Sequence, residues 1–204
     1  NLEFPFVCLL VSGGHTQLWE IKDFMSYNLL GETRDDAAGE AFDKGARVLG
    51  LGYPGGPEIE ILAKKGNYNA INFPRAFVKE NNFEFSFSGL KTALLYYMDN
   101  KNRKNRADVA ASYQFAIIDV LVKKLKYAAE HTNSKNCVVA GGVAANKFLR
   151  QYSKENIPNR NIIYPHPSFC TDNAAMIAYL GEKYLAIGKT SKINFSILPN
   201  MKID

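Results

Sequence analysis

The second half of the chain alternates between helical segments and short apolar strands, and this alternation limits the fold more than any other sequence feature. Residues 107–131 form the longest stretch with helical periodicity, and strand-like runs follow at 137–140 and 161–164. A helix is predicted after each of these strands, at about 144–154 and 172–185. Because strands joined by helices usually pair in parallel, we expect an α/β fold with a partly parallel sheet.

The first half of the chain predicts a different arrangement. Three strand-like runs at 6–11, 16–21 and 27–32 are separated by turn-like breaks, which indicates an antiparallel meander. Helices are predicted at 36–49, 57–65 and 89–98, with loops and a short strand over 67–87. The complete sheet should therefore be mixed.

Composition narrows the class of protein. With 204 residues, of which 47% are apolar, the chain can bury one substantial core. No window reaches the roughly 20 unbroken apolar residues that a membrane span needs. The cysteines Cys8, Cys137 and Cys170 form no CxxC pair, which fits a reducing cytoplasm. A net charge of +5 is compatible with a polyanionic partner.

A basic segment lies between two predicted helices. Lys101, Arg103, Lys104 and Arg106 are candidate contacts for the phosphates of a nucleic acid. A solvated basic loop explains the same residues equally well. Neutralising the four charges should flatten the salt dependence of nucleic-acid binding only under the first interpretation.

The strand predicted at 6–11 ends in a double-glycine turn, Ser12-Gly13-Gly14-His15-Thr16. Glycines allow backbone N–H groups to approach an oxyanion, and the hydroxyls of Ser12 and Thr16 can donate further hydrogen bonds. The same spacing is typical of an ordinary β-hairpin turn. These residues alone leave a phosphate-binding loop and a plain hairpin as equal alternatives.

The helix predicted at 36–49 carries Asp36, Glu40 and Asp43 at i, i+4 and i+7, so the three carboxylates should share one face. Neighbouring acids repel unless they meet solvent, a cation or sugar hydroxyls. Basic residues such as Lys44 lie close by, so a solvated face is the favoured interpretation.

Two further Gly-Gly pairs are candidate binding elements. Tyr53-Pro54-Gly55-Gly56-Pro57 should form a rigid turn against which a ribose can pack, although a plain turn is commoner. Gly141-Gly142 ends a strand and opens a helix, which leaves free N–H groups at the helix N-terminus. Asn146, one turn later, can offer a donor and an acceptor. A close helix–sheet contact is the alternative.

The last candidate precedes the final predicted helix. Thr171 should be its N-cap, which places Asp172 and Asn173 in the first turn, where the helix dipole favours an acid. The Asp172 carboxylate can instead bind a metal ion, but the three histidines are isolated and the chain has no HxxxH pair. No residue is a convincing covalent nucleophile, and Cys170 should serve packing.

Six segments follow one another in an order that none of them would specify singly. They are residues 9–18, 35–44, 53–57, 141–146, 170–178 and Phe85-Ser86-Phe87-Ser88-Gly89-Leu90-Lys91-Thr92. Together they resemble the TsaD family of tRNA threonylcarbamoyl transferases over about residues 4–187. A weaker similarity extends to actin-like, sugar-kinase and Hsp70-type ATPases.

The resemblance implies a fold and an activity. The fold is an actin-like/Hsp70-like ATPase lobe of the ribonuclease H-like type, in which residues 1–204 form the C-terminal part. The activity is that of a cytoplasmic acyltransferase. It transfers the threonylcarbamoyl group from threonylcarbamoyl-AMP to the exocyclic amine of the adenosine adjacent to the anticodon in tRNA.

The resemblance also assigns binding residues. The nucleotide, threonylcarbamoyl-AMP or ATP or ADP, would contact Leu10, Val11, Ser12, Gly13, Gly14, Asp43, Gly56 and Asn146. Asp172 would be a ligand of one divalent metal ion, iron or zinc. The backbone N–H groups of Gly13 and Gly14 would stabilise negative charge while the amine attacks the carbamoyl carbon.

One departure from the family limits these expectations. The family supplies its other metal ligands from an HxxxH motif upstream of the strand at 6–11, and this chain begins too late to include it. Asn1 is not a start methionine, so we expect the natural protein to have a further N-terminal lobe. We expect the chain by itself to have an incomplete metal site and to be an inactive fragment.

Partners and rival functions follow from the same comparison. We expect tRNA and proteins of the TsaB and TsaE type as partners, and no membrane. Two alternatives remain, namely a small-molecule kinase or carbamoyltransferase of the same fold and a non-catalytic assembly subunit. Because Asn146, Asp172 and all the loops are present, the sequence argues against the degenerate subunit.

Overall fold

The computed structural model describes residues 2–78, 81–99 and 105–196. Its centre is a five-stranded mixed sheet in the order β3-β2-β1-β4-β5. The strands are β1 Phe6–Val11, β2 Thr16–Asp23, β3 Ser26–Glu32, β4 Asn136–Ala140 and β5 Asn161–Ile163. The helices are α1 Ala38–Val48, α2 Gly55–Ala63, α3 Ser88–Asp99, α4 Arg106–His131, α5 Lys147–Asn156 and α6 Ala174–Ala186.

Both predicted halves of the sheet are confirmed. β1 pairs antiparallel with β2, from Phe6 opposite Ile21 to Val11 opposite Thr16, and β2 pairs antiparallel with β3. On its other side β1 pairs parallel with β4, which in turn pairs parallel with β5. The apolar runs of β1 and β4 are therefore central strands.

Helix α4 forms the main layer against this sheet. The apolar periodicity predicts Phe115, Ile118, Leu121, Val122 and Leu125 on its buried side, and the last four are fully buried. Phe115 is only half-buried, because it leaves the core face and packs in a ring cluster with Phe148 and other aromatics. Helix α2 packs on both α1 and α4, and α5 packs on α4.

Several helix boundaries differ from the prediction. Helix α1 begins at Ala38, so Asp36 lies outside it. Helix α2 begins at Gly55 rather than at Pro57, since the Asp43 carboxylate accepts a hydrogen bond from the N–H of Gly55. The stretch 67–87 contains an isolated bridge, from Thr33 to Phe85, instead of a strand.

The two C-terminal helices start later than predicted. A 3-10 turn, Gly142–Ala145, follows β4, and α5 begins only at Lys147 with Asn146 as its N-cap. Asn173, not Thr171, is the N-cap of α6, and its side chain accepts from the N–H of Met176 at 3.0 Å. Asp172 therefore precedes the helix instead of lying in its first turn.

Candidate functional site

A pocket of about 380 Å³ lies where β1 and β4 end. Because these neighbouring strands are parallel, their following loops, residues 12–15 and 141–146, meet at one edge of the sheet. The chain turns to β2 on one side and to β5 on the other, so the pocket occupies the crevice at which the strand order diverges. Ligands in open α/β sheets bind at this position.

The double-glycine turn is a hairpin, one of the two alternatives that the sequence left open, and its tip lies at the pocket. Residues 12–15 connect the antiparallel strands β1 and β2, so the turn is a hairpin, closed by a 2.8 Å hydrogen bond from Ser12 N to the His15 carbonyl. Its tip is nevertheless part of the pocket, because Gly13 lines it. Within the described residues the N–H of Gly13 has no protein acceptor, so it is free to meet a ligand.

The hydroxyls near this turn have structural partners instead of a ligand. Ser12 Oγ accepts from the N–H groups of Gly14 and His15, at 3.3 and 3.1 Å. Thr16 is fully buried, and its Oγ1 accepts from the N–H of Ala38 at 2.8 Å, at the start of α1. The prediction that Thr16 contributes a donor to a phosphate is wrong, because the side chain faces the core.

The hairpin and α1 approach each other closely at a glycine. A Cβ added at Gly39 would lie 2.6 Å from the Ser12 carbonyl oxygen and 2.7 Å from the Gly13 nitrogen. The Gly39 N–H donates to that same carbonyl at 3.0 Å. The absent side chain at Gly39 therefore sets the position of the loop that forms one wall of the pocket.

Asp43 links the fold to the pocket. Its Oδ1 accepts from the N–H of Gly55 at 2.7 Å, which fixes the start of α2, and the residue also lines the pocket. In the described part of the chain no protein donor contacts Oδ2. The second oxygen is therefore available to accept a hydrogen bond from a ligand hydroxyl.

The three acids predicted on one helical face do not act together. Lys44 Nζ contacts both Asp36, at 2.6 Å, and Glu40, at 2.9 Å, and these carboxylates raise its pKa. Asp43 points to the pocket. The first two acids are thus an ion-paired surface, as the solvated-face interpretation requires, and only Asp43 belongs to the site.

The two glycines after Pro54 have opposite environments. A Cβ at Gly55 would lie 2.7 Å from both the Cβ of Ala46 and the Cα of Asp43, so this glycine permits the contact of α2 with α1. A Cβ at Gly56 would meet no atom within 4 Å, and Gly56 lines the pocket. Gly56 therefore presents backbone to the space in which a ligand would lie.

Asn146 lines the opposite wall, but its polar atoms are occupied. Its Oδ1 accepts from the N–H of Leu149 and its Nδ2 donates to Oε1 of Gln114, both at 2.9 Å. Asn146 is 7% exposed. Asn146 is therefore oriented by two hydrogen bonds to the protein, and one N–H of Nδ2 and one lone pair of Oδ1 remain beyond these two bonds.

Sequence reasoning missed Glu60. This half-buried residue lines the pocket, and its Oε1 accepts from the backbone N–H of Lys147 at 3.2 Å. The available signal was its spacing, because Glu60 follows Gly56 by four residues and shares its face of α2. The pocket also contains Tyr53, whose side chain is 86% exposed at the rim.

The remaining predicted residues lie apart from the lining of the pocket. Leu10 and Val11 are strand residues, and Val11 is fully buried. Asp172 is exposed, and only its neighbour Thr171 contributes to the pocket. The structure thus assembles four of the predicted positions around one cavity, namely Gly13, Asp43, Gly56 and Asn146.

The described residues do not form a metal site by themselves. Across residues 2–78, 81–99 and 105–196, no three His, Cys, Asp or Glu side chains are grouped closely enough to hold an ion. Near Asp172, the His166 ring contacts the Ser168 hydroxyl at 2.8 Å, and Cys170 is 4% exposed. Asp172 alone is a weak ligand set for a divalent cation.

Arg150 connects the two loops at the far side of the pocket. Its guanidinium donates to the carbonyls of Ala144, at 2.7 Å, and Pro165, at 3.1 Å. It also approaches Cys170 Sγ at 3.5 Å and lies over the Tyr164 ring. Cys170 is thereby held in packing contacts, in keeping with its predicted structural role.

The segment 85–92 is organised by one carboxylate. Asp35 accepts hydrogen bonds from the backbone and hydroxyl of Ser88, the N–H of Phe87 and the hydroxyl of Ser86, with distances of 2.5 to 3.2 Å. Desolvation acts to raise the pKa of Asp35, but these hydrogen bonds outweigh it and the pKa is lowered. Asp35 thus stabilises the start of α3.

Most of the basic segment lies outside the residues that the structure describes. Lys101, Arg103 and Lys104 lie beyond the described residues. Arg106 is the first residue of α4, and its guanidinium donates to the carbonyl of Leu49. Arg106 therefore belongs to the packing of α1 against α4 rather than to a loop tip.

Comparison with known proteins gives a consistent result. The family model described as tRNA N6-adenosine threonylcarbamoyltransferase, TsaD, matches residues 1–179. Proteins of that name from Thermosipho africanus and Magnetococcus marinus are 48% and 50% identical to this chain, covering 100% and 99% of it. The alignments cover 63% and 59% of those relatives, so the chain spans about six tenths of their length.

A solved structure supports the fold. The crystal structure of T. kodakarensis HypF aligns with a TM-score of 0.67 and 15% identity, covering 91% of this chain and 35% of that one. At this identity the likeness concerns architecture alone, and it agrees with the expected actin-like α/β fold. None of the helices in the described residues is long and apolar enough to cross a membrane.

Proposed function

This chain belongs to the TsaD family, the tRNA N6-adenosine threonylcarbamoyltransferases, and we propose that its pocket holds the nucleotide part of the acyl donor. The donor is threonylcarbamoyl-AMP, and the acceptor is the exocyclic amine of the adenosine adjacent to the tRNA anticodon. The amine nitrogen attacks the carbamoyl carbon. A new C–N bond forms, the bond from that carbon to the phosphate oxygen breaks, AMP leaves, and the amine loses a proton.

The observation that carries this proposal is the divided use of the Asp43 carboxylate. One oxygen accepts from Gly55 N, which holds the side chain in place, while the other has no protein donor among the described residues and Asp43 lines the pocket. A fixed, charged acceptor beside the open backbone of Gly56 suits the hydroxyls of a ribose. Glu60, on the same face of α2, offers a second carboxylate to the sugar.

The phosphate would lie at the hairpin tip. The free N–H of Gly13 donates to a phosphate oxygen there, where negative charge increases as AMP departs. Ser12 and Gly14 shape this tip through their mutual hydrogen bond, and Leu10 and Val11 anchor it in the central strand. The role of this chain is to bind and orient the donor, without a covalent nucleophile.

Asp172 would give one carboxylate to a divalent ion, iron or zinc. Because no three His, Cys, Asp or Glu side chains are grouped among the described residues, further ligands would have to come from outside them. The intact cytoplasmic protein would act on tRNA together with partner proteins of the TsaB and TsaE type.

The test uses the full-length protein with its partner proteins, tRNA, and threonylcarbamoyl-AMP labelled in the threonyl group. Label should enter the tRNA, and a tRNA with guanosine in place of the target adenosine should take up none. Nucleotide binding without any transfer to tRNA would instead favour the kinase or small-molecule carbamoyltransferase. Absence of both would favour the assembly subunit.

A further inference from the structure

A second pocket, of about 210 Å³, adjoins the first. Helices α2, α4 and α5 form its walls, and Glu60 contributes to both pockets. The partition between them is held by two hydrogen bonds, from Lys147 N to Glu60 Oε1 and from Asn146 Nδ2 to Gln114 Oε1. A ligand in the second pocket would therefore lie directly beside the proposed nucleotide site.

The amide of Gln114 is directed into this second pocket. Asn146 Oδ1 accepts from a backbone N–H, so its Nδ2 must face Gln114, and the atom of Gln114 that accepts must be Oε1. This fixes the orientation of both amides. Gln114 is 5% exposed and lines the pocket, yet its Nε2 donates to no acceptor among the described residues. Because Gln114 lines the pocket and its Nε2 has no protein acceptor there, this amide can donate to water or to a ligand.

The rim of the second pocket combines rings with positive charge. Lys64 and Lys147 line it, and both side chains are exposed. Tyr68 is 40% exposed, and its ring packs against Phe115, with centroids 4.7 Å apart, and against Phe148, at 5.6 Å. The Tyr68 ring is thus supported from behind while part of it remains open.

We propose that the second pocket binds one unpaired nucleotide of the RNA substrate, from the loop that carries the reacting adenosine. The inference rests on the proposed function, which supplies a single-stranded RNA loop. Bases of such loops are unstacked and can stack on an aromatic ring, here Tyr68. The two lysines would contact the phosphates. The Gln114 amide would donate to a base acceptor, and the volume suits one base rather than a larger ligand.

The charge contacts are tested with a matched pair of variants in the full-length protein. Lys64→Glu/Lys147→Glu alters the pocket, whereas Lys65→Glu/Lys154→Glu makes the same charge change at exposed positions of the same region that do not line it. Binding of a fluorescent RNA stem–loop is measured over a salt series. The pocket variant should lower the log–log salt slope by about 1.4, since each single-strand phosphate contact contributes about 0.7. The control should change it much less.

The ring contact is tested with Tyr68→Leu and the conservative Tyr68→Phe. The leucine variant should weaken RNA binding about tenfold, whereas phenylalanine should restore it. With 2-aminopurine placed at successive loop positions, one position other than the reacting adenosine should lose fluorescence on binding, and only when residue 68 is aromatic. ATP binding to the first pocket serves as the control for folding, and it should be unchanged in all variants.

The outcomes separate this inference from the proposed function. If the unaltered protein neither binds nor modifies the RNA, the proposed function is wrong and the inference fails with it. If it modifies the RNA and both charge variants bind alike, only the inference is overturned. A free mononucleotide offers the second pocket the same base and phosphate groups as a nucleotide of an RNA loop. AMP binding is therefore also measured at concentrations above those that saturate the first pocket. If Tyr68→Leu weakens this additional AMP binding but leaves RNA binding intact, the assignment of the second pocket to RNA is overturned.

Discussion

The two oxygens of the Asp43 carboxylate have different roles, so two substitutions should separate the effect on folding from the effect on ligand binding. Asp43→Asn keeps an oxygen that can accept from Gly55 N, at the 2.7 Å position of Oδ1, but it removes the charge from the pocket. Asp43→Ala removes both functions. The comparison uses the full-length protein, with thermal unfolding and ATP titration measured on the same preparations.

The expected magnitudes follow from the two hydrogen bonds. Losing the contact that starts α2 costs about 0.5–2 kcal/mol, so Asp43→Ala should lower the Tm by about 2–5 °C, and Asp43→Asn by much less. A charge-assisted hydrogen bond contributes about 1.5–3 kcal/mol, so Asp43→Ala should weaken nucleotide binding about 10- to 150-fold. Asp43→Asn, which keeps a neutral polar group, should weaken it about fivefold.

Either of two results would refute this reasoning. Nucleotide affinity equal to that of the unaltered protein in Asp43→Asn means that the second oxygen does not contact the ligand. A fall in Tm that is as large for Asp43→Asn as for Asp43→Ala means that charge, not the hydrogen bond to Gly55, stabilises the start of α2. Glu40→Gln, which alters a nearby carboxylate outside the pocket, serves as the control for a general charge effect.

Three further predictions concern the glycines after Pro54, Cys170 and Asp35. Gly56→Ala should leave the Tm unchanged while weakening ATP binding about tenfold or more, because its methyl group enters the pocket, whereas Gly55→Ala should cost about 1–3 kcal/mol of stability through overlap with α1. Unchanged ATP binding in Gly56→Ala would contradict the first part. Cys170→Ser should retain threonylcarbamoyl transfer and metal content, and abolished transfer with unchanged metal would make the thiol catalytic. The folded pKa of Asp35 is lowered, so its stabilising effect is present above its unfolded pKa, near 3.9, and is lost as pH falls through the folded pKa. Acid titration should therefore show a weaker loss of stability below about pH 4 in Asp35→Asn than in the unaltered protein, and parallel curves would contradict this.

The mixed sheet and the main helices were predictable because they depend on local patterns. The spacing of apolar residues indicates which positions are buried, both in the strand runs at 6–11 and 137–140 and in helix α4. Helix starts were less predictable. Helix α2 starts where the Asp43 carboxylate, twelve residues earlier in the chain, accepts from the N–H of Gly55, and local patterns do not show this contact. Helix α6 offered Thr171, Asp172 and Asn173 as neighbouring candidates for its N-cap, and the 3-10 turn before α5 was not predicted.

The structure places two of the predicted glycines at the pocket and shows protein partners for some of the predicted side chains. Gly13 and Gly56 lie where the motifs placed them, since a glycine exposes backbone wherever the chain turns. Thr16 and Asn146 were expected to offer polar atoms to a ligand, but both use them on the protein itself. Glu60 was overlooked because an acid on a helix surface is ordinary until a pocket is found beside it.

The sequence by itself determined the family of the chain, the order of its loops and the alternation that makes its sheet mixed. Only the tertiary structure decided which polar atoms remain available to a ligand. The partners that occupy Thr16 and Asn146 are 22 and 32 residues away along the chain. The spacing of neighbouring residues does not predict hydrogen bonds between residues so far apart in the sequence. The first joins the start of β2 to α1 and the second joins the N-cap of α5 to α4, so both form only when these elements pack together. The parallel pairing of β1 with β4 likewise makes the tip of the double-glycine hairpin one wall of a pocket.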